Sequence, residues 1–182
     1  MGVMSEIRET DRSVSKGLAA SAPPALHRTL SAVEKAAERS KLWCGAAVAM
    51  ATLGGPRGRR AATAGLTAVA LAQLVSNAVC KQLADRPRPP KEWFPHDEAE
   101  DRPDSSSFPS GHTAAAVAFT AAVAAIWPPV GAVCAVPAAL VAVERVQSGA
   151  HYPSDVAAGA AIGAAAAWLA RHAPRLALRS WL

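Results

Sequence analysis

The sequence predicts an all-α protein, an integral membrane helical bundle of about five transmembrane helices with an N-terminal amphipathic surface helix. Of the 182 residues, 51% are hydrophobic and only 5% are aromatic, and alanine supplies much of the apolar content. Long stretches contain no Asp, Glu, Lys or Arg, so they lack the charged face of a soluble surface helix. The tryptophans stand at or beyond the ends of these stretches, as in an interfacial belt; they are Trp43, Trp93, Trp127, Trp168 and Trp181.

The chain begins with a polar segment, residues 1–41, whose charges are of mixed sign. From Ala25 to Arg39 the apolar positions recur at helical spacing, which predicts an amphipathic helix on the surface and not a span. A membrane domain over 42–172 and a basic tail over 173–182 complete the predicted organisation.

Apolar helices occupy the membrane domain, and Pro128–Pro129 divides the longest uncharged stretch into two of them. Only the second helix reaches the ~20 apolar residues that a bilayer core requires, so a soluble helical bundle is the alternative. The sequence GAAIG at 159–163 has GxxxG spacing, which favours close packing inside the bundle and leaves a homo-oligomer open. The predicted helices are 42–55, 61–82, 111–127, 130–146 and 155–170.

Parity of the spans sorts the loops between the two sides of a membrane. One side carries arginines without acids, so the positive-inside rule makes it cytoplasmic; they are Arg57, Arg59, Arg60, Arg171, Arg175 and Arg179. The loops 83–110 and 147–154 then lie outside, and so does the N-terminus, although its basic residues fit that side less well. The net charge is +5, but the sequence shows no basic groove with interleaved aromatic residues, which argues against a nucleic-acid partner.

Polar residues survive at helix ends on the outer side in three islands: KQLADRPRP at 81–89, PSGH at 109–112 and ERVQSGAHYPSD at 144–155. They contain Lys81, Arg88 and Arg145. Each cation alone is typical of a snorkelling interfacial side chain. Facing one pocket together, they predict a clamp for a multiply charged anion.

The second and third islands supply the remaining groups. Ser110 and Gly111 precede a predicted helix, so their amides are expected to seat the anion. Asp155 follows His151 by four residues and is expected to accept its Nδ1–H, leaving Nε2 as a nucleophile. His112, on another helix, is placed to act as general acid. No carboxylate cluster suggests a metal, so neither a metal nor another cofactor is expected.

The joint pattern Lys81-x6-Arg88-Pro89, Pro109-Ser110-Gly111-His112 and Arg145-x5-His151-x3-Asp155 resembles the three-part signature of the type 2 phosphatidic acid phosphatase family. That family shares its catalytic core with vanadium haloperoxidases and bacterial class A acid phosphatases. The resemblance covers roughly residues 41–170. It implies a metal-independent phosphatase with a phosphohistidine intermediate. By position, His151 is the nucleophile, Asp155 orients it and His112 is the general acid, while Lys81, Arg88, Ser110, Gly111 and Arg145 hold the phosphate.

Two departures from the family pattern concern arginines. Glu144 stands where the family commonly has serine, and it is expected either to pair with Arg145 or to weaken binding of a dianion. A second Arg-Pro step places Arg86 where it either contacts substrate or pairs with Asp85.

The expected substrate is an amphiphilic lipid phosphate whose tail stays in the bilayer, with the active site on the extracytoplasmic face of a bacterial plasma membrane. The resemblance implies polyprenyl phosphates or diphosphates, phosphorylated polyprenyl-linked sugars, or phosphatidate-type lipids. Trp93 and Phe94, in the long loop 86–109, are expected either to belong to a solvated connector or to dip into the interface as part of a lid. The alternatives are a vanadate-dependent haloperoxidase-like enzyme and a non-catalytic membrane protein that binds lipid phosphates.

Overall fold

The computed structural model describes residues 2–21, 24–94 and 105–179, and the side chains among them except those of 20–21, 24–27 and 173–179. In this part of the chain all regular secondary structure is helical, which confirms the all-α prediction. The helices are α1 (Val3–Ser21), α2 (Pro24–Ala37), α3 (Lys41–Leu53), α4 (Gly55–Gln73), α5 (Lys81–Leu83), α6 (Gly111–Ala124), α7 (Pro128–Gln147) and α8 (Pro153–Arg179).

The bounds of α4 and α7 follow from their prolines, which are tolerated in the first turn because its amides have no helical partner. The predicted turn over 56–60 is wrong: α4 begins at Gly55, with Pro56 in its first turn. The π-helical segment Leu74–Cys80 joins α4 to α5, so one continuous helical stretch runs over Gly55–Leu83. Its π-helical part is not predictable from apolar periodicity.

Helix α6 lies at the centre of the bundle, packed against α4, α7 and α8. Its alanines and Phe119 are buried on several sides, which explains why the helix has no polar face. Two glycines of α8 permit close approach: a Cβ at Gly159 would collide with the Ser110 carbonyl, and one at Gly163 with the Ala114 carbonyl. The structure therefore confirms that GAAIG serves helix packing inside the bundle.

Two helices among the described residues are long and apolar enough to cross a membrane, Gly55–Leu83 and Pro128–Gln147, and Gly111–Ala124 is apolar but shorter. The number of five spans stays a prediction. Trp43 does not support this number, because it is only 2% exposed and packs against the ring of Phe119 in a tilted arrangement, with 5.3 Å between the ring centroids. This tryptophan is a core residue and not part of an interfacial belt.

The two ends of α6 differ in chemistry. At its C-terminal end Arg57 donates from Nε to the Ile126 carbonyl at 2.9 Å and lies 5.9 Å from the Trp127 ring. At its N-terminal end stand Gly111 and His112, from the second polar island. Arg57 and this island therefore lie at opposite ends of the bundle, as parity predicts.

The N-terminal segment is more helical than predicted: a helix that was not expected, α1, precedes the predicted amphipathic helix. Periodicity missed α1 because the face it buries carries polar residues, Asp11 and Ser15. Phe94 is also buried, packed against Gly149, whose φ of +68° a side chain would strain. Phe94 therefore does not dip into an interface; the rest of the predicted lid, residues 95–104, and Trp181 of the tail lie outside the described residues.

Candidate active site

The three polar islands converge on one cavity of about 570 Å³ at the N-terminal end of α6. Six of the eight predicted site residues line it: Lys81, Arg88, Gly111, His112, Arg145 and His151. Ser110 and Asp155 are fully buried and do not line this cavity. The structure thus brings together residues that lie up to 70 positions apart in the sequence.

The cations differ in their partners. Arg88 donates to the backbone carbonyls of Ala150 at 2.7 Å and Ser105 at 3.2 Å, so its guanidinium meets dipoles and no carboxylate in these bonds. Lys81 begins α5 and faces the cavity at half burial. Their position beside an enclosed polar space suits them to bind an anion.

Arg145 is paired with two carboxylates. Its Nε donates to Glu144, and its Nη2 lies 3.0 Å from Oε1 of Glu34 on α2. Of the two expectations for Glu144, pairing with Arg145 is therefore the one seen. An anion that binds Arg145 competes with two acids.

His151 is held on both its backbone and its ring. Its amide donates to the Arg145 carbonyl at 2.9 Å, and Nδ1 lies 2.5 Å from the Ser107 carbonyl oxygen. A carbonyl can only accept a hydrogen bond, so Nδ1 carries the proton and Nε2 holds the lone pair of the neutral ring. Burial, helped by the charge of Arg88, holds the pKa of His151 well below its usual value, which favours the neutral ring.

The expected bond from His151 Nδ1–H to Asp155 is not present. Oδ2 of Asp155 stands 4.0 Å away, and the Ser107 carbonyl accepts the hydrogen bond from Nδ1–H. Asp155 Oδ2 instead accepts the Tyr152 amide at 2.8 Å, which is the reciprocal cap of the first turn of α8. Its Oδ1 accepts Nη1 of Arg86 at 2.5 Å. Arg86 therefore pairs with Asp155, and the expected pairing with Asp85 is wrong.

Ser110 supports the site from beneath. Its Oγ accepts the Thr113 amide at 3.4 Å as the N-cap of α6, and its own amide donates to the Asp155 carbonyl at 3.0 Å. That amide is consumed inside the protein, so the expected anion contact from it is not available in this structure. Gly111 reaches the cavity, where a Cβ would stand 2.9 Å from Oδ1 of Asn77.

Sequence reasoning missed several polar residues of the cavity: Glu34 and Glu38 of the N-terminal segment, Gln73 at the end of α4 and Asn77 in the π-helical segment. Asn77 lies four residues before Lys81, and this spacing is the one signal that could have found it. Glu34 and Glu38 carry no such signal, because in the sequence they read as the polar face of a surface helix. Among the described residues, no group of three or more His, Cys, Asp or Glu side chains could hold a metal ion.

Comparison with known proteins gives consistent matches. The family model described as PAP2 superfamily matches residues 61–179. The lipid A 1-phosphatase of Rhizobium johnstonii is 48% identical over 58 residues, which are 32% of this chain and 24% of that protein. The lipid A 1-phosphatase of Rhizobium etli is 47% identical over 57 residues, 31% of this chain and 25% of that protein. The matches thus span about a quarter of the length of these curated relatives.

Two crystal structures have the same fold. The first transmembrane PAP2 type phosphatidylglycerolphosphate phosphatase, from Bacillus subtilis, superposes with a TM-score of 0.69 at 21% identity, over 93% of this chain and 87% of that one. LpxE of Aquifex aeolicus superposes with a TM-score of 0.67 at 22% identity, over 87% of this chain and 92% of that one. At these identities the likeness establishes the fold.

Proposed function

This chain belongs to the PAP2 superfamily, and from that premise we propose that it is a metal-independent membrane phosphatase acting on an amphiphilic lipid phosphate. One observation carries the proposal: the two predicted histidines and the three predicted cations, which no short segment could bring together, line the same cavity. A purely anion-binding protein would need the cations but not a neutral, oriented imidazole beside a second histidine.

In the first step the Nε2 lone pair of His151 attacks phosphorus, and the P–N bond forms as the bond to the leaving oxygen breaks. The negative charge of the bound phosphate favours the protonated form of His112, which gives its proton to that oxygen. The lipid leaves as an alcohol, or as a phosphate where the substrate is a diphosphate. The Ser107 carbonyl keeps the proton of His151 on Nδ1, so Nε2 faces the reaction.

In the second step water attacks the phosphohistidine, the P–N bond breaks and its electron pair returns to Nε2. His112, now neutral, takes the proton from the water and is ready for the next turnover. Charge on the equatorial oxygens is balanced throughout by Lys81, Arg88 and Arg145, whose positions are set before the reaction starts. These fixed positive charges supply the electrostatic stabilisation that a metal gives in other phosphatases.

The substrate is proposed to carry its phosphate on a polar headgroup, as in a saccharolipid. Beside the cations the cavity offers the amides of Gln73 and Asn77 and the carboxylates of Glu34 and Glu38. These groups can hydrogen-bond hydroxyl or amide groups of a sugar and have no role toward a bare phosphomonoester. The names of the Rhizobium relatives support a lipid A-type 1-phosphate as the leading candidate, ahead of polyprenyl phosphates or diphosphates and phosphatidate-type lipids.

The proposed location is a bacterial plasma membrane, with the cavity on the extracytoplasmic face. Arg57, Arg59 and Arg60 lie at the end of the bundle opposite the cavity, and arginines without acids mark the cytoplasmic side.

The test is release of inorganic phosphate by the detergent-purified protein in the presence of EDTA. Lipid A, a polyprenyl diphosphate, phosphatidylglycerol phosphate and phosphatidate are supplied in turn. We expect turnover with chelator present, fastest on lipid A, and a loss of about 10³-fold or more in His151→Ala because the nucleophile is gone.

His172→Ala is the matched control, since this partly buried histidine lies near the far end of α8, outside the cavity, and bonds to the Trp168 carbonyl. It should keep turnover within about twofold, as expected for a surface substitution. Activity that EDTA abolishes, or that His151→Ala retains, contradicts the mechanism. Halide oxidation by peroxide after addition of vanadate, without phosphate release, identifies the haloperoxidase-like alternative.

A further inference from the structure

Asp11 stands out on α1 because it is 2% exposed on a helix whose other charged side chains are exposed. A buried carboxylate is unfavourable unless it is paired and hydrogen-bonded. Asp11 lies outside the stretch that matches the PAP2 family model, residues 61–179, so nothing in the signature accounts for it.

The partners of Asp11 belong to the loop that carries His151. Oδ1 accepts the Ser154 amide at 2.9 Å, and Oδ2 accepts the Ser154 hydroxyl at 2.7 Å. Oδ2 also accepts Nη2 of Arg86 at 2.6 Å. These bonds fix the first turn of α8, directly after His151, to a helix that is 143 residues away in the sequence.

Arg86 extends this connection to three residues near His151, which are Asp155, Tyr152 and Ser107. Its Nη1 donates to Oδ1 of Asp155 at 2.5 Å, and its guanidinium lies 4.5 Å from the Tyr152 ring centroid. Its backbone carbonyl accepts a hydrogen bond from the Ser107 amide at 2.9 Å, and the Ser107 carbonyl in turn accepts one from His151 Nδ1–H.

The charges explain why Asp11 matters to this arrangement. One guanidinium, that of Arg86, serves two buried carboxylates, those of Asp11 and Asp155. Without Asp11, Arg86 is free to draw Asp155 and its turn toward itself. Asp11, Arg86 and Tyr152 line a separate cavity of about 310 Å³, and Asp11 and Arg86 do not line the cavity that contains His151.

We propose that Asp11 is a positioning residue for the proposed phosphatase reaction, holding the His151 loop in register through Ser154 and Arg86. The inference rests on the proposed function for its kinetic consequence and on the contacts alone for its structural one. It makes the N-terminal helix part of the catalytic apparatus.

The kinetic test compares Asp11→Ala with Glu9→Ala, which removes an exposed carboxylate from the same helix. We expect kcat on the lipid phosphate to fall about 10- to 100-fold in Asp11→Ala, because a displacement of about 1 Å in a reacting group has this effect. KM should stay within about threefold, since the cations of the cavity are untouched. Glu9→Ala should retain both constants within about twofold.

A double-mutant cycle with Arg86→Ala tests whether Asp11 acts on the His151 loop through Arg86. If Asp11 acts through Arg86, the double variant loses less activity than the product of the two single losses. Asp11→Asn keeps an acceptor for the Ser154 amide and should fall between wild type and Asp11→Ala. It also provides a folded variant if Asp11→Ala is unstable.

Hydrogen exchange supplies a readout that needs no turnover. The Ser154 amide should exchange faster in Asp11→Ala than in Glu9→Ala, because it loses its acceptor. If the wild type releases no phosphate from any lipid, the proposed function fails. Hydrogen exchange still tests the contact between Asp11 and the Ser154 amide in that case. The inference is overturned by unchanged exchange, by a kcat equal to that of Glu9→Ala, or by a rise in KM at constant kcat.

Discussion

The cavity has two unlike sides, one built by the family-matched region and one by the N-terminal helices. The first supplies Lys81, Arg88, Arg145 and both histidines. The second supplies two acids, Glu34 and Glu38, and two bases, Lys35 and Arg39. The proposed reactive groups therefore come from the signature, while a segment that the signature does not include adds charges of both signs around them.

The arginines show what this division does. Arg88 donates to backbone carbonyls, whereas Arg145 is paired with Glu34 from the N-terminal side as well as with Glu144. An anion that binds Arg145 therefore competes with an acid from each side of the cavity. The difference lies in their neighbours and not in their residue type.

The family-matched side is tested most sharply at His112. His112→Asn keeps a hydrogen-bonding side chain but cannot donate a proton as an acid, so kcat should fall about 10²- to 10⁴-fold. Steady-state kinetics on a lipid phosphate measures the loss. A substrate with a much better leaving group, such as an aryl phosphate, should lose less, and equal losses on both would contradict a role as general acid.

Glycine substitutions compare helix packing in the family-matched region with packing in the N-terminal part of the chain. In Gly163→Ala the new Cβ meets the Ala114 carbonyl and the Ala118 amide, so we expect destabilisation of about 1–3 kcal/mol. Gly45→Ala on α3 meets nothing within 4 Å, and it should be neutral or stabilise by about 0.5–1 kcal/mol through helix propensity. Thermal unfolding in detergent measures both, and equal shifts would contradict the close contact of α8 with α6.

The smallest expected effect is at Glu34. Glu34→Gln removes a partly exposed acid from Arg145, so the site should bind inorganic phosphate about two- to fivefold more tightly, the size expected for a pair near the surface. The inhibition constant of phosphate measures this change. Glu6→Gln, an exposed site on α1, controls for net charge. Weaker binding in Glu34→Gln would mean that Glu34 holds Arg145 in place for the anion.

The fold was predictable where hydrophobicity decides it. Uncharged, alanine-rich stretches gave α3, α4, α6, α7 and α8 within a few residues, apart from the start of α4 and the end of α8. Helix α1 was not predictable, because Asp11 and Ser15 face the protein and imitate a solvent-facing stripe. Trp43 was misjudged for a related reason: position at a segment end does not distinguish an interface from a core.

The candidate site was predictable in its membership and less so in its bonds. The spacing of the three islands identified six of the residues that line the cavity, because the helix ends on one side of a bundle lie close together. It could not show that Ser107, and not Asp155, accepts the proton of His151, since that acceptor is a backbone carbonyl 44 residues away. Backbone acceptors carry no sequence signal.

The sequence by itself determined the helical class, six residues that line the cavity and the end of the bundle where they lie. These follow from local hydrophobicity and from motif spacing, which are properties of short segments. Only the tertiary structure decided the partners: Glu34 on Arg145, Arg86 between Asp11 and Asp155, and Ser107 on His151. Such pairs join distant segments, and their geometry is fixed by how the helices pack.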